Sequence, residues 1–473
     1  MTLVNSVLPR RNKAAAAKSL AGIAAALIAG WSTASFGAVS VNPNVEYFYG
    51  SGPGEGVSVS SDGKFIMVSS PVNVSGETNY SSSVPHLVHN PLAPQPFNLT
   101  RDFPLTGYGE VTDVGVMPGG PFGLAVVRSD ALHPFNGMLA IRGNDVLQEI
   151  PIPAKPDGMK ISPDGRYAIV AVEKGGDIRI YDLEGGAGQI QLAAIITKAA
   201  IAAYFVNVPN PVDAAEPEAV GISADSSFAL VTIQDCASVA SLSLDAVTLG
   251  RQQGLTPEAI GDLALKKVLH LPFGFAGRTG GLFGVEPDGV AISPDGTFAI
   301  LAHEANNNAR HLAGISVVDL RNGLANMTAQ TYSIFDIDPT LLANTGLASV
   351  PIVAPGDPYP AAATRLPRLD PASVEIVNRG GQLVAAVVIE CYDPSAAQLA
   401  ASTSNETRGS LLVLDVGQAL NGIFTKIDRL PGGVSGSRLE VIDSAQGGRW
   451  IFVSISNGGG NRGTFARFEL LTQ

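Results

Sequence analysis

Residues 287–303 read PDGVAISPDGTFAILAH, and residues 156–172 read PDGMKISPDGRYAIVAV. Residues 54–70 (GEGVSVSSDGKFIMVSS) and 217–233 (PEAVGISADSSFALVTI) align with both without a gap. Each copy has a physical reading. Val-x-Ile alternates, as a half-buried strand does. Ser-Pro-Asp-Gly is a tight turn, in which Pro fixes φ and Gly accepts the positive φ. The apolar, β-branched run that follows, such as residues 167–172 (YAIVAV), is a more central strand.

Three weaker copies keep the pattern: residues 112–127 (TDVGVMPGGPFGLAVV), 370–390 (DPASVEIVNRGGQLVAAVVIE) and 437–454 (SRLEVIDSAQGGRWIFVS). That brings the count to seven. A third strand ending in Asp often follows, as in residues 177–183 (DIRIYDL) and 314–320 (GISVVDL), and a fourth in places, as in 267–271 (KVLHL). Four antiparallel strands per repeat make a propeller blade. The predicted fold is therefore all-β, a seven-bladed β-propeller of four-stranded antiparallel blades. Residues 39–49 (VSVNPNVEYFY) have strand propensity to spare and are expected to add a strand to the last blade, removing the open edges.

Composition agrees with this. The 473 residues are 45% hydrophobic and 15% charged, with 53 Gly and 32 Pro. Such a chain is too apolar for disorder and rich in turn formers. About 60 residues per blade exceeds the ~40–50 of minimal blades, so the excess sits in insertions. Residues 255–267 (LTPEAIGDLALKK) are predicted to be a helix with Thr256 as N-cap, Pro257 in the first turn and Glu258 at the positive end of the dipole. Residues 336–368 and 393–408 are the other two insertions.

The N-terminus is read as a signal peptide covering residues 1–38. Arg10, Arg11, Lys13 and Lys18 form a basic region, residues 20–31 (LAGIAAALIAGW) a short apolar one, and Gly37 or Ala38 offers a cleavage point. Arg10-Arg11 leaves the general secretory and twin-arginine routes both open. Residues 39–473 are then a single propeller domain, exported to the periplasm, the cell surface or the medium, with no transmembrane segment once the signal is removed. Net charge is −12, and no Lys/Arg stripe follows the N-terminus, which excludes nucleic acid as a partner. Cys236 and Cys391 are candidates for a disulfide in an exported chain, the alternative being two buried thiols.

One position before the innermost strand stays acidic in the four strong copies: Glu55, Asp157, Glu218 and Asp288. A second follows the second strand: Glu173, Glu304 and Glu390, beside Arg128 and Gln234 in the other copies. Both sets are expected at one mouth of the central channel. Clustered carboxylates there would raise one another's pKa or recruit a hard cation such as Ca²⁺. The metal candidates are Glu218, Asp288, Glu304 and the neighbouring His303. The alternative is that these carboxylates hydrogen-bond loop amides at blade junctions. No zinc spacing, nucleophile elbow, phosphate-cradling loop or haem-attachment motif occurs.

The core PDGxxISPDGxxAxVxxxxxxxIxVxDL resembles the YVTN-type and lactonase-like seven-bladed propellers. Residues 217–235 and 287–320 look in particular like the choice-of-anchor bacterial surface propellers. The resemblance covers residues 39–473 but rests on the repeat alone. It implies a surface or periplasmic binding scaffold for a protein or small-molecule ligand. Lactonases and phytase-like esterases in the wider group make a metal-assisted hydrolase the competing expectation, and no catalytic set carries over.

Overall fold

The computed structural model describes residues 38–42, 46–48, 56–60, 62–73, 80–89, 97–105, 107–119, 122–130, 133–142, 145–205, 215–234, 236–272, 285–304, 314–339, 368–392, 410–431, 437–445, 447–457 and 465–472. Seven antiparallel sheets follow one another along the chain. Their innermost strands are Val57–Val59, Glu110–Val116, Met159–Ile161, Pro217–Ile222, Glu286–Ile292, Arg368–Arg379 and Ser437–Ala445. We number the blades 1 to 7 in that order. In blades 2 to 6 each strand pairs with the next in sequence, from the channel outward. Blade 1 carries an extra hairpin partner, Ser70–Asn73, on its third strand Tyr80–His89. The seven-bladed fold expected from the repeat is the fold observed.

Closure is also as expected. Blade 7 supplies three strands from the C-terminal end, and Val39–Val41 adds the outermost one, pairing Val39 with Thr472 and Val41 with Leu470. Glu46–Phe48 pairs with the other end of the same strand. A ring joined this way has no open seam at which a blade could peel off.

The turn of the repeat works through its side chains. Ser162 Oγ donates to Asp164 (2.6 Å) and accepts from the Tyr167 N–H (2.9 Å). Ser60–Asp62, Ser223–Asp225 and Ser293–Asp295 do the same at 2.7 Å each, accepting from Phe65, Phe228 and Phe298. The serine thereby satisfies a backbone donor that the hairpin leaves unpaired. The turn glycine is left-handed at Gly165 (φ 73°) and Gly296 (φ 69°); in blade 4 Ser226 holds that conformation at φ 60°.

Seven buried apolar clusters form the core. One lies at each blade junction, including Val57, Ile66, Trp450 and Phe452 where blade 7 meets blade 1. Strands such as Tyr167–Val172 are buried on both faces, so they read as continuous apolar runs.

The blade 4 insertion holds two helices. The helix expected over residues 255–267 spans Pro257–Ala264, capped by Thr256, which accepts from the Ala259 N–H, and Leu265–His270 is instead the outermost strand of the blade. Leu244–Gln252 was missed, although Ser243 is its N-cap. The pair docks on blade 3: Arg251 forms an ion pair with Asp182, and Tyr167 Oη meets Thr248 Oγ1 at 2.9 Å. The expected leader lies outside the described residues apart from Ala38, as do residues 340–367 and 393–408 of the other insertions. Among the described residues no helix is long and apolar enough to cross a membrane.

Candidate site in the central channel

Inner strands alternate. In blade 1, Val57 and Val59 point into the blade junction and are buried, while Ser58 lines the channel. The positions equivalent to Ser58 are Gly115, Lys160, Gly221, Ala291, Glu375 and Asp443. Gly115, Lys160, Glu375 and Asp443 line the channel, while Ala291 packs between blades 5 and 6. All seven blades line one cavity of about 330 Å³.

Three of the expected acidic residues are there. Asp157, Glu218 and Asp288 line the cavity where the inner strands of blades 3, 4 and 5 begin. Glu173, at the end of the second strand of blade 3, approaches Asp157 and Glu218, and one carboxylate oxygen from each of these three lies within 4.8 Å of the others. Lys155 reaches into the group, forming an ion pair with Glu173 and lying 3.3 Å from Asp157. Lys174 closes the outside, 2.7 Å from both Glu173 and Glu216. The Glu218 carboxyl is pushed well above the usual carboxylate range, first by burial and then by the charges of Asp157 and Asp288. A side-chain hydrogen bond shared with Asp157 raises it further.

Glu55 lies outside the described residues, as do the side chains of Glu304, Glu390 and Cys391. His303 is fully buried within blade 5, its Nε2 2.7 Å from Ser316 Oγ. Burial lowers its pKa to about 3, so it stays neutral. Its position among the blade's strands, rather than on the cavity wall, sets it apart from the acidic group. Cys236 is buried between blades 3 and 4. Arg128 forms an ion pair with Glu110.

A second layer was not anticipated. Three residues along an inner strand advance about 10 Å, and there Lys160 of blade 3 reaches across the channel to Asp443 of blade 7, Nζ to Oδ1 3.4 Å. Asp443 holds the lysine above its ordinary pKa against the effect of burial, helped by Glu375 and Asp113. The Lys160 side chain keeps 39% of its surface open, because it stands in the channel rather than in a blade core.

The carboxylates of this layer also join neighbouring inner strands. Asp113 accepts from the Met159 N–H (2.7 Å) and Asp443 from the Val59 N–H (2.8 Å), linking blades 2 to 3 and 7 to 1. Glu375 accepts from Ser444 Oγ (2.8 Å), linking blades 6 to 7. Burial raises Asp113 to about 7 despite its two amide donors, and raises Glu375 as well. The role proposed for the mouth acids, bonding amides at blade junctions, is filled by Asp113 and Asp443. The signal was in the sequence: the middle residue of each inner strand is small or neutral in four blades and charged in blades 3, 6 and 7.

No family model matches the chain, and no curated protein matches its sequence. Among solved structures it is similar in fold to hydrazine synthase of Kuenenia stuttgartiensis, a propeller-containing protein, over 88% of this chain and 95% of that one, with 14% identity and a TM-score of 0.51. At that identity the likeness is one of fold.

Proposed function

We propose that this protein is an exported, non-catalytic binding propeller that takes a positively charged group of its ligand at the acidic end of the channel. The observation that carries this is the crowding of Asp157, Glu218 and Asp288 at one end of the cavity, which holds the Glu218 carboxyl well above the usual carboxylate range and which a bound cation would relieve. Among the described residues no histidine or cysteine lines the cavity, so neither a Ser–His nor a Cys–His pair is formed there. The deeper charged residues are already engaged with one another and with strand amides. Export rests on the N-terminal segment. The resemblance of the repeat to YVTN-type and choice-of-anchor surface propellers supports a surface or periplasmic scaffold.

A metal-assisted hydrolase is the second reading, favoured by the proximity of Asp157, Glu173 and Glu218. The two part in one experiment. The mature chain is melted against a panel of amines, sugars, anions and divalent cations, and assayed on lactones and phosphoesters with Ca²⁺ or Mn²⁺ present. Stabilisation by cationic members alone, lost in Glu218→Gln, without turnover, is the expected result. Turnover that Glu218→Gln abolishes would establish the hydrolase. Stabilisation by anions or by neutral sugars would sink the binding reading.

A further inference from the structure

We infer that Lys160 sets the selectivity of the channel: its ammonium bars the channel at mid-height, so that the acidic end admits a ligand with one ammonium group and excludes a second one further in. This deepens the proposed function and rests on it.

The cavity continues on both sides of Lys160. Asp157, Glu218 and Asp288 line it toward one end, Val116 and Pro163 toward the other. Between them the Lys160 side chain leaves the inner strand of blade 3 and meets Asp443 on the inner strand of blade 7, Nζ to Oδ1 3.4 Å. Three residues of strand separate Asp157 from Lys160, so a ligand held at the acidic end has about 10 Å of depth before it reaches the lysine. Among the described residues that line the cavity, Lys160 is the only basic one. Blades 1 and 2 carry Ser58 and Gly115 at the equivalent position, which are too short to cross.

The crossbar is held in place. Asp443 accepts the Val59 N–H on one oxygen (2.8 Å) and the Ser444 N–H on the other (2.9 Å). Asp443 in turn holds Lys160 above its ordinary pKa, and Glu375 and Asp113 add to this. An ammonium therefore does occupy this layer, and it is the chain's own. Its charge offsets that of Asp443. Burial pushes Glu375 and Asp113 up, Asp113 to about 7, which biases both toward their neutral forms. A second ammonium arriving from the acidic end meets Lys160 Nζ as a like charge and finds the Asp443 carboxylate already taken. Like charges a few ångströms apart in a site poor in water repel strongly.

Calorimetric titration of the mature chain with heptylamine and with heptamethylenediamine tests this, because the two differ only by the second ammonium. The wild type is expected to bind the diamine no more tightly than the monoamine. In Lys160→Met the diamine should gain at least about tenfold relative to the monoamine, since its far ammonium then takes the place of Nζ beside Asp443. Lys160→Arg, which keeps the charge, should keep the wild-type ratio. Lys160→Met combined with Asp443→Asn should lose the gain. Each variant is checked for a native melting transition, and Lys160→Gln replaces Lys160→Met if the latter does not fold. A wild type that binds the diamine about tenfold more tightly than the monoamine overturns the inference. So does a ratio in Lys160→Met equal to that of the wild type. If both amines bind and the ratio never changes, the proposed function stands and the role of Lys160 alone falls. If neither amine binds the wild type, the proposed function falls, and the role of Lys160 falls with it unless Lys160→Met binds the diamine.

Discussion

The rim turns and the channel wall belong to the same strands and behave oppositely. At the rim, four blades repeat one device, a serine that holds an aspartate and a strand amide, with distances agreeing to within 0.2 Å. A few residues earlier, on the inner strands, equivalent positions carry Ser58, Gly115, Lys160, Gly221, Ala291, Glu375 and Asp443, and five of the seven (all but Gly221 and Ala291) line the channel. The rim solves a local problem that is identical in every blade, so the same residues recur. The channel is one shared space, and each blade's contribution depends on what the other six place there. Repetition therefore marks scaffold, and divergence at equivalent positions marks where this chain is individual.

Substitutions can break or sharpen that contrast. The largest effect is expected at Gly158, where the inner strands of blades 3 and 4 converge. A Cβ there would overlap the Glu218 backbone carbonyl, and Gly158→Val must push the strands apart. We expect a loss of more than about 3 kcal/mol or failure to fold, read by chemical denaturation. A native-like midpoint would show that the ring tolerates bulk at the position.

Lys160→Met comes next. It leaves Asp443, Glu375 and Asp113 without their lysine. A broken buried pair costs about 3–5 kcal/mol, and the open channel reduces this to about 2. The loss should grow from pH 5 to pH 8. Asp113, raised to about 7, keeps its proton in the native state at the lower pH while the unfolded chain releases it near 4. Stability held by that protonated acid is present below about pH 4 and is lost as pH rises through about 7. Removing the lysine strengthens this trend, because one fewer cation favours the ionised form. A pH-independent difference between variant and wild type would contradict the coupling.

Ser162→Ala tests the rim. It removes the acceptor of the buried Tyr167 N–H, and about 1.5 kcal/mol should be lost. The same change at Ser223 or Ser293 should cost about the same, since the contacts match. Unequal losses would show that the rim is less uniform than its geometry.

The smallest effect is a gain. Ser226 occupies the left-handed position that Gly165 and Gly296 hold in other blades. Ser226→Gly relieves about 1 kcal/mol of backbone strain but removes the exposed bond that Ser226 Oγ accepts from the Asp164 N–H. A net rise of about 0.5 kcal/mol in the unfolding free energy is expected, and a loss would mean that the bond between the turns dominates.

Much of this was legible in the residues. The Val-x-Ile alternation, the Ser-Pro-Asp-Gly turn and the apolar run after it are local rules, each satisfied within about fifteen residues. Seven copies then left little choice of architecture, because a blade cannot bury both of its faces alone. Closure was legible for the same reason: an N-terminal strand without a local partner faced a last repeat one strand short. The helix Leu244–Gln252 escaped notice because its run LDAVTLGRQ follows directly on a strand, and only the Ser243 cap marks the change.

The site was legible in part. Asp157, Glu218 and Asp288 could be placed together, since they share one position in the repeat. Glu173 was expected at the same mouth from its place after the second strand. The cationic partners could not be placed: Lys155 reaches the group from a loop, and Lys160 meets Asp443 from four blades further along the chain. Such pairs depend on the ring having closed, which brings residues hundreds of positions apart to within hydrogen-bonding distance across one channel. The sequence by itself determined the blade, its turn and the number of copies, because hydrogen bonding and burial within a hairpin are short-range. Only the tertiary structure decided which charges face one another, because electrostatic partnership depends on distance in space and on the water excluded between the groups.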